Sequence, residues 1–137
     1  MSQTFATPQD VEDAYYDAID ERDLEAMMAV WEDSEQTACL LPMMPLQRGP
    51  AAIREAWRPL LAGQVTLDME IRHLGWIELG EIAIHLVEER VQAPGQAGRQ
   101  AVYASNLYRK GSAGWRLLMH QNSPTPPAPG LKMPDLG

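Results

Sequence analysis

The amino-acid sequence predicts a single α+β domain in which three N-terminal helices pack on one face of a curved antiparallel β-sheet with a mixed edge. Three observations lead to this fold class. Apolar residues recur at helical spacing early in the chain, whereas from Val65 they alternate with polar residues as in a strand. The turn sequence KGSAG then joins the last two predicted strands, as in an antiparallel meander. With 137 residues, 45% of them apolar, the chain suits one compact core.

The first two helices are marked by their caps. Thr7 and Pro8 begin the first helix, because a threonine side chain can cap and proline fits the first helical position. Its apolar stripe is Val11, Ala14, Tyr15, Ala18 and Ile19. Asp23 can cap a second helix. The apolar positions of that helix are Leu24, Met27, Met28 and Trp31.

Prolines separate the elements that follow. The sequence TACLL from Thr37 predicts a short strand, which Pro42 and Pro45 end. A third helix follows Arg48-Gly49-Pro50, and we expect Pro59 to bend or end it.

The rest of the chain predicts strands. Val65, Leu67, Met69, Ile71 and His73 alternate with polar residues, which indicates one buried face. Strands over 81–91 and 99–110 follow, separated by APGQAG, and the last strand is GWRLLMHQNSP. Residues 81–91 are apolar on both phases, so both sheet faces are expected to be covered, one by helices and the other by a second copy of the chain.

The domain is predicted over residues 1–124. Residues 125–137 are rich in proline and glycine and lack periodicity, which predicts a mobile tail.

Charge and motif content argue against several function classes. The net charge is −8, and residues 1–35 hold eleven acidic residues against Arg22 alone, so nucleic-acid binding is disfavoured. With no signal-like start and no apolar run long enough to cross a bilayer, a cytoplasmic protein without membrane contact is expected. Cys39 is the only cysteine, the histidines are scattered, and phosphate- and dinucleotide-binding motifs are absent. Neither a metal nor a cofactor is predicted.

Three phrases, VWEDSEQTACLLP, RGPAAIREAW and YASNLYRKGSAGWRLLMHQNSP, resemble the SnoaL-like branch of the nuclear transport factor 2-like superfamily. The resemblance covers Pro8 to Pro124. It implies a cone-shaped fold in which three helices enclose a pocket against the concave side of the sheet, while the convex side forms a homodimer. The superfamily includes isomerases, dehydratases, cyclases, hydrolases and non-catalytic domains, so the function must be argued from the residues.

We expect the pocket to bind a small, mostly apolar molecule. Large amphipathic or soft side chains are its predicted lining. They are Tyr15, Trp31, Met43, Trp57, His85, Tyr103, Trp115, Met119 and Gln121. On the last strand, Trp115, Leu117 and Met119 are expected to pack inward, with His120 and Asn122 on the opposite face.

Two alternatives remain open. A lyase, isomerase or hydrolase would use His85 or His120 as a general base, oriented by Asn106 or Asn122, or Tyr15 as a hydrogen-bond donor. Glu88 and Glu89 point to opposite faces, so one could face inward, although a surface or interface ion pair is the favoured interpretation. A non-catalytic dimeric assembly domain would instead fill its pocket with its own side chains. An enzyme needs a titratable group with a shifted pKa inside the cavity, and a binding module does not.

Overall fold

The computed structural model of the chain describes residues 3–63, 68–92 and 98–126. Within these ranges the chain forms three helices and six strands. They are α1 (Pro8–Glu21), α2 (Leu24–Val30), β1 (Ala38–Leu40), β2 (Gln47–Arg48), α3 (Pro50–Ala62), β3 (Asp68–Leu79), β4 (Ile82–Gln92), β5 (Gln100–Gly111) and β6 (Gly114–Pro124).

The six strands form one mixed sheet in the order β2-β1-β6-β5-β4-β3. Strands β3 to β6 are an antiparallel meander, and β1 adds to β6 in parallel. The α+β class and the mixed edge are therefore confirmed. The predicted APGQAG turn, the start of the strand predicted from Val65, and nearly all of the predicted tail lie outside the described residues.

The predicted helix starts are confirmed at the two caps. The Thr7 hydroxyl accepts a hydrogen bond from the backbone N–H of Asp10 at 3.1 Å, and the Asp23 carboxylate accepts one from Ala26 at 3.0 Å. Each bond satisfies an N–H that has no partner within the helix.

From the sequence, Pro59 was expected to bend or end α3; the helix does not end there but continues to Ala62. Proline removes one backbone N–H, whereas the residues after it can still donate to carbonyls of the preceding turn. Leu61, which is buried in that last turn, packs into the core and favours the helical continuation.

One face of the sheet is covered by the helices, and the core lies between them. Three of the four tryptophans are buried there, while Trp76 is half exposed. The most deeply buried apolar residues are Val11, Tyr15, Ala18, Met27, Val30, Cys39, Ile53, Ala83, Val87, Tyr108 and Leu117. None of the described helices has the length and apolar character needed to cross a bilayer.

A bulge in β6 reverses the predicted face of several residues. Leu107 pairs with Met119 but Tyr108 pairs with Leu117, so Leu118 is an extra residue. Because an extra residue shifts the alternation, Leu117 and His120 are both buried on the helix-covered face. The expected inward packing of Trp115 and Leu117 is confirmed, whereas the assignment of Met119 to that face, and of His120 and Asn122 to the other, was wrong.

The opposite face of the sheet is apolar along β3 and β4. Ile82 and Ile84 are half-buried on this face of β4, and Leu86 is exposed. Their partners on β3 include Ile77 and Leu79, both exposed. The described residues place no helix against this apolar surface.

The turn between β5 and β6 requires glycine at Gly114. Its φ is +93°, and a Cβ added there would lie 2.6 Å from the carbonyl oxygen of Phe5. We predict that Gly114→Ala lowers the free energy of unfolding by about 2–3 kcal/mol, measured by urea denaturation. Gly111→Ala is the control, because its Cβ would meet nothing closer than 4.0 Å; it should cost less than about 1 kcal/mol. Equal effects of the two substitutions would contradict this account.

Candidate functional site

A cavity of about 400 Å³ lies between α1, α3, the segment after β1 and the helix-covered face of the sheet. This volume is within the range of small-molecule sites. Its walls are mainly apolar. The apolar lining residues are Ile19, Leu41, Pro42, Met44, Trp57, Leu60, Leu61, Met69, Val91 and Val102.

Glu89, His120 and Asn122 form a polar part of this apolar lining, together with Tyr15. Glu89 is only 5% exposed and His120 only 1%. Because a buried charged or polar group is costly without partners, the hydrogen bonds of these residues decide what the site can do.

The Glu89 carboxylate accepts hydrogen bonds on both oxygens. The Tyr16 hydroxyl donates to Oε2 at 2.7 Å, and Nδ2 of Asn122 donates to Oε1 at 2.9 Å. The same Asn122 nitrogen donates to the carbonyl oxygen of Tyr103 at 3.1 Å, which fixes the orientation of the amide. These contacts hold Glu89 in place as a hydrogen-bond acceptor.

His120 completes the ring of hydrogen bonds. Its Nδ1 lies 2.5 Å from Oδ1 of Asn106, and its Nε2 lies 2.8 Å from Oδ1 of Asn122. Nδ2 of Asn106 donates to the Tyr16 hydroxyl at 3.1 Å. Five side chains, from Tyr16, Glu89, Asn122, His120 and Asn106, are thus joined in one closed ring, which we call the polar ring.

The protonation of His120 decides the directions of the hydrogen bonds in the polar ring. Both amide oxygens face its imidazole, which lies 3.8 Å from the Glu89 carboxylate, and a protonated imidazole donates to both of them. A neutral imidazole carries one N–H and donates to one amide oxygen, and its other nitrogen accepts from an amide that has turned over to present its NH₂ group.

Burial shifts the pKa values of His120 and of two tyrosines at the cavity. Burial lowers the pKa of His120, although the Glu89 charge and the Asn122 hydrogen bond act in the opposite direction. A protonated His120 is therefore a stronger acid than a free imidazolium. Burial raises the pKa of Tyr15 and of Tyr16 well above the usual range, so both phenols stay neutral donors. The cavity thus holds a titratable group with a shifted pKa.

A second cluster, centred on the buried Glu12 and His85, lies beside the cavity and does not line it. Nε2 of His73 lies 2.9 Å, and Nδ1 of His85 lies 3.2 Å, from Oε2 of Glu12. Trp76 stacks on His85 with ring centroids 4.5 Å apart. Burial by itself raises the pKa of Glu12, but the hydrogen bonds from His85 and His73 and their charges outweigh it, so the pKa is lowered. Among the described residues no group of His, Cys, Asp and Glu side chains could hold a metal ion.

The structure places some of the predicted site residues in the cavity wall and others elsewhere in the fold. Tyr15, Trp57 and the catalytic candidate His120 line the cavity. His85 instead bonds Glu12 in the second cluster, and Met43 is fully exposed in the loop after β1. The other predicted lining residues also lie outside the cavity wall. They are Trp31 and Trp115, buried elsewhere, and Tyr103, Met119 and Gln121, which lie on the opposite phase of β5 and β6.

Sequence reasoning undervalued Glu89. It shares the inward phase of β4 with Ala83, His85 and Val87, whereas Glu88 faces outward and pairs with Arg90 at 3.5 Å. Its position on the same strand face as these buried residues was the sequence feature that could have identified it. The partners that make burial of Glu89 possible, Tyr16 and Asn122, are remote in sequence and could not be found from it.

Comparison with known proteins identifies close structural relatives. Residues 9–129 match the sequence model of the SnoaL-like domain. A protein from Thiobacillus denitrificans, described as a calcium/calmodulin-dependent protein kinase type II association domain, is 30% identical over 90% of this chain and 99% of its own, with a TM-score of 0.85. No curated protein has a significant match.

More distant solved structures share the fold. A protein from Streptomyces avermitilis, described as a dehydratase of the nuclear transport factor 2-like family, is 20% identical over 85% of this chain and 92% of its own, with a TM-score of 0.76. A ketosteroid isomerase-like protein from Erwinia carotovora atroseptica is 17% identical over 87% and 94%, with a TM-score of 0.67.

Glu12 is expected to make stability depend on pH. Its folded-state pKa lies below the unfolded value, so its stabilising contribution is present above about pH 4.5 and is lost on acidification. We predict that Glu12→Gln lowers the free energy of unfolding at neutral pH by about 2 kcal/mol and makes it less dependent on pH between about pH 5 and pH 3. Urea denaturation at several pH values measures both effects.

Glu55→Gln is the matched control for this prediction. Glu55 is exposed and pairs with Arg58 on the helix surface, so its removal should change stability by less than about 0.5 kcal/mol. A Glu12→Gln variant that keeps the pH dependence of the wild type would show that another group is responsible.

Proposed function

The chain belongs to the SnoaL-like domain family, and we propose that it is an enzyme of the lyase or isomerase class that moves a proton on a small, mostly apolar molecule bound in the cavity. One observation carries this proposal. A buried carboxylate and a buried imidazole, joined in one hydrogen-bonded ring, line a cavity whose other walls are mainly apolar.

The apolar walls would supply most of the binding free energy. The apolar walls include Leu41, Leu60 and Val102, which lie on different elements of the fold. Burying apolar substrate surface against these walls contributes a binding free energy of about 25 cal/mol per Å². A polar group on the substrate would then lie next to the polar ring, because elsewhere in the cavity it would be left without partners.

Glu89 and Tyr15 have complementary roles in this proposal. The Glu89 carboxylate takes a proton from a carbon atom of the substrate and delivers it to another atom of the same molecule, and the Tyr15 hydroxyl, a neutral phenol in the cavity wall, donates a hydrogen bond to the substrate oxygen on which charge develops. His120 is a positioning residue, because it contacts Asn122, whose amide donates to Glu89. Asn106 and Tyr16 are also positioning residues, because they connect Glu89 and His120 without lining the cavity.

A non-catalytic assembly domain is the second candidate function. It is favoured by the similarity to the Thiobacillus denitrificans protein described as an association domain. The open cavity argues against it, because a domain used only for assembly would be expected to fill this space with its own side chains.

We also propose that a second copy of the chain covers the apolar face of the sheet. Ile77 and Leu79 of β3 and Leu86 of β4 are exposed on this face. An apolar patch of this kind is typical of an interaction surface, and a second copy brings the same patch.

Replacement of Glu89 tests the proposed chemistry. A panel of one- and two-ring ketones with exchangeable α-protons is incubated with the protein in deuterium oxide, and loss of the α-proton is followed by NMR. We expect the wild type to accelerate exchange for at least one ketone and Glu89→Gln to reduce that rate about 100-fold or more.

Glu88→Gln provides the matched control for this experiment. It removes the neighbouring carboxylate from the other face of the same strand and should leave the exchange rate unchanged. No acceleration by the wild type with any ketone, or equal rates in both variants, would contradict the proposed chemistry.

Replacement of Leu86 tests the second copy. We expect the wild type to sediment as a dimer at micromolar concentration and Leu86→Lys to sediment as a monomer, because burying an unpaired ammonium group in an apolar interface is costly. Leu46→Lys, on an exposed loop residue, should remain a dimer. A monomeric wild type would contradict the proposal.

A further inference from the structure

We infer that the molecule bound in the cavity is an amphipathic anion, whose carboxylate or similar group is bound by Arg22 at the cavity rim. This inference rests on the proposed function and specifies its substrate class. The reacting end of the molecule, which is neutral, faces the polar ring, and its anionic end faces outward.

The charges that line the cavity support this orientation. Among the described lining residues only Arg22 is a permanent cation, and only Glu89 is a carboxylate. Glu89 would repel an anionic group placed beside it, because like charges interact strongly in a poorly solvated site. The anionic end is therefore favoured at the part of the wall that Arg22 occupies.

Arg22 stands out in a strongly acidic part of the chain. It is the single basic residue of residues 1–35, which contain eleven acidic residues. The structure describes no ion pair for Arg22, Arg48, Arg72 or Arg116, whereas the other five arginines have carboxylate partners. Those are Arg54, Arg58, Arg90, Arg99 and Arg109. Among the four arginines without an ion pair in the described residues, Arg22 is the one that lines the cavity.

The backbone and one hydrogen bond position the guanidinium. Arg22 ends α1 in a left-handed conformation with φ of 55°, and its backbone N–H faces the carbonyl oxygens of Ala18 and Ile19. Nη1 donates to the carbonyl oxygen of Gly63 at 2.8 Å, which connects the ends of α1 and α3. A guanidinium has five N–H donors, so this contact leaves others that can bind a carboxylate in bidentate geometry.

The alternative is a purely structural role, in which Arg22 only connects the two helix ends. The two roles predict different results with two probes that share an apolar body. We would titrate 2-naphthoate and its neutral analogue 2-naphthamide into the full-length wild type by isothermal titration calorimetry near neutral pH. Wild type should bind 2-naphthoate at least tenfold more tightly than 2-naphthamide.

Three variants separate the two roles. Arg22→Gln should abolish the preference for 2-naphthoate while leaving the affinity for 2-naphthamide within about twofold, and Arg22→Lys should retain part of the preference. Arg72→Gln is the matched control, because it removes the same charge from an exposed position of β3 and should change neither affinity. Circular dichroism and the melting temperature of each variant verify its fold.

Each remaining outcome overturns a defined part of the argument. Equal affinity of wild type for both probes, or an equal loss of both in Arg22→Gln, would overturn the role of Arg22 and leave the cavity proposal intact. A similar loss of preference in Arg72→Gln would assign the effect to the overall charge of the protein and overturn the inference. If neither probe binds to wild type at millimolar concentration, the proposed binding function fails together with the inference.

Discussion

The hydrogen bonds between α1 and the sheet are the interaction on which the rest of the structure depends. Glu12 and Tyr16 lie one helical turn apart on α1 and therefore point to the same side. Glu12 is the partner of His73 and His85, and Tyr16 is the partner of Glu89 and Asn106. Without these two side chains of α1, buried polar groups on β4 and β5 would each lose a hydrogen-bond partner, at about 1–3 kcal/mol each. The helix thus determines both the packing of the sheet and the chemistry of the cavity.

Local signals explain why much of the fold could be predicted from the sequence. Thr7 and Asp23 cap helices within three residues of themselves, and the turn between β5 and β6 depends on Gly114. The site depends instead on contacts between residues remote in sequence. Glu89 bonds Tyr16, 73 residues away, and Asn122, 33 residues away. Strand parity predicted the inward faces of Trp115 and Leu117, but it failed for Met119, His120 and Asn122 because a bulge at Leu118 shifts the alternation within β6.

The two faces of β4 serve the two proposed interactions: the inward face contributes to the cavity, and the outward face is proposed to contact a second copy of the chain. The inward phase carries His85 and Glu89, both buried and hydrogen bonded to groups on α1 or β6. The outward phase carries Ile84, which is half-buried, and Leu86, which is exposed, and no helix of the described residues packs on them. Burial of Glu89 and His120 is costly and is offset by the polar ring, an arrangement typical of sites where stability is sacrificed for reactivity.

The bulge at Leu118 also means that β6 has a second plausible alignment with its neighbours. Without the bulge, Met119 and Gln121 would point into the cavity, while His120 and Asn122 would face the apolar surface. The observed alignment is favoured by the hydrogen bonds that His120 and Asn122 make on the inner face. The hydrogen bonds of the polar ring therefore help to determine which residues of β6 line the cavity, so that the strand alignment and the site are specified by the same contacts.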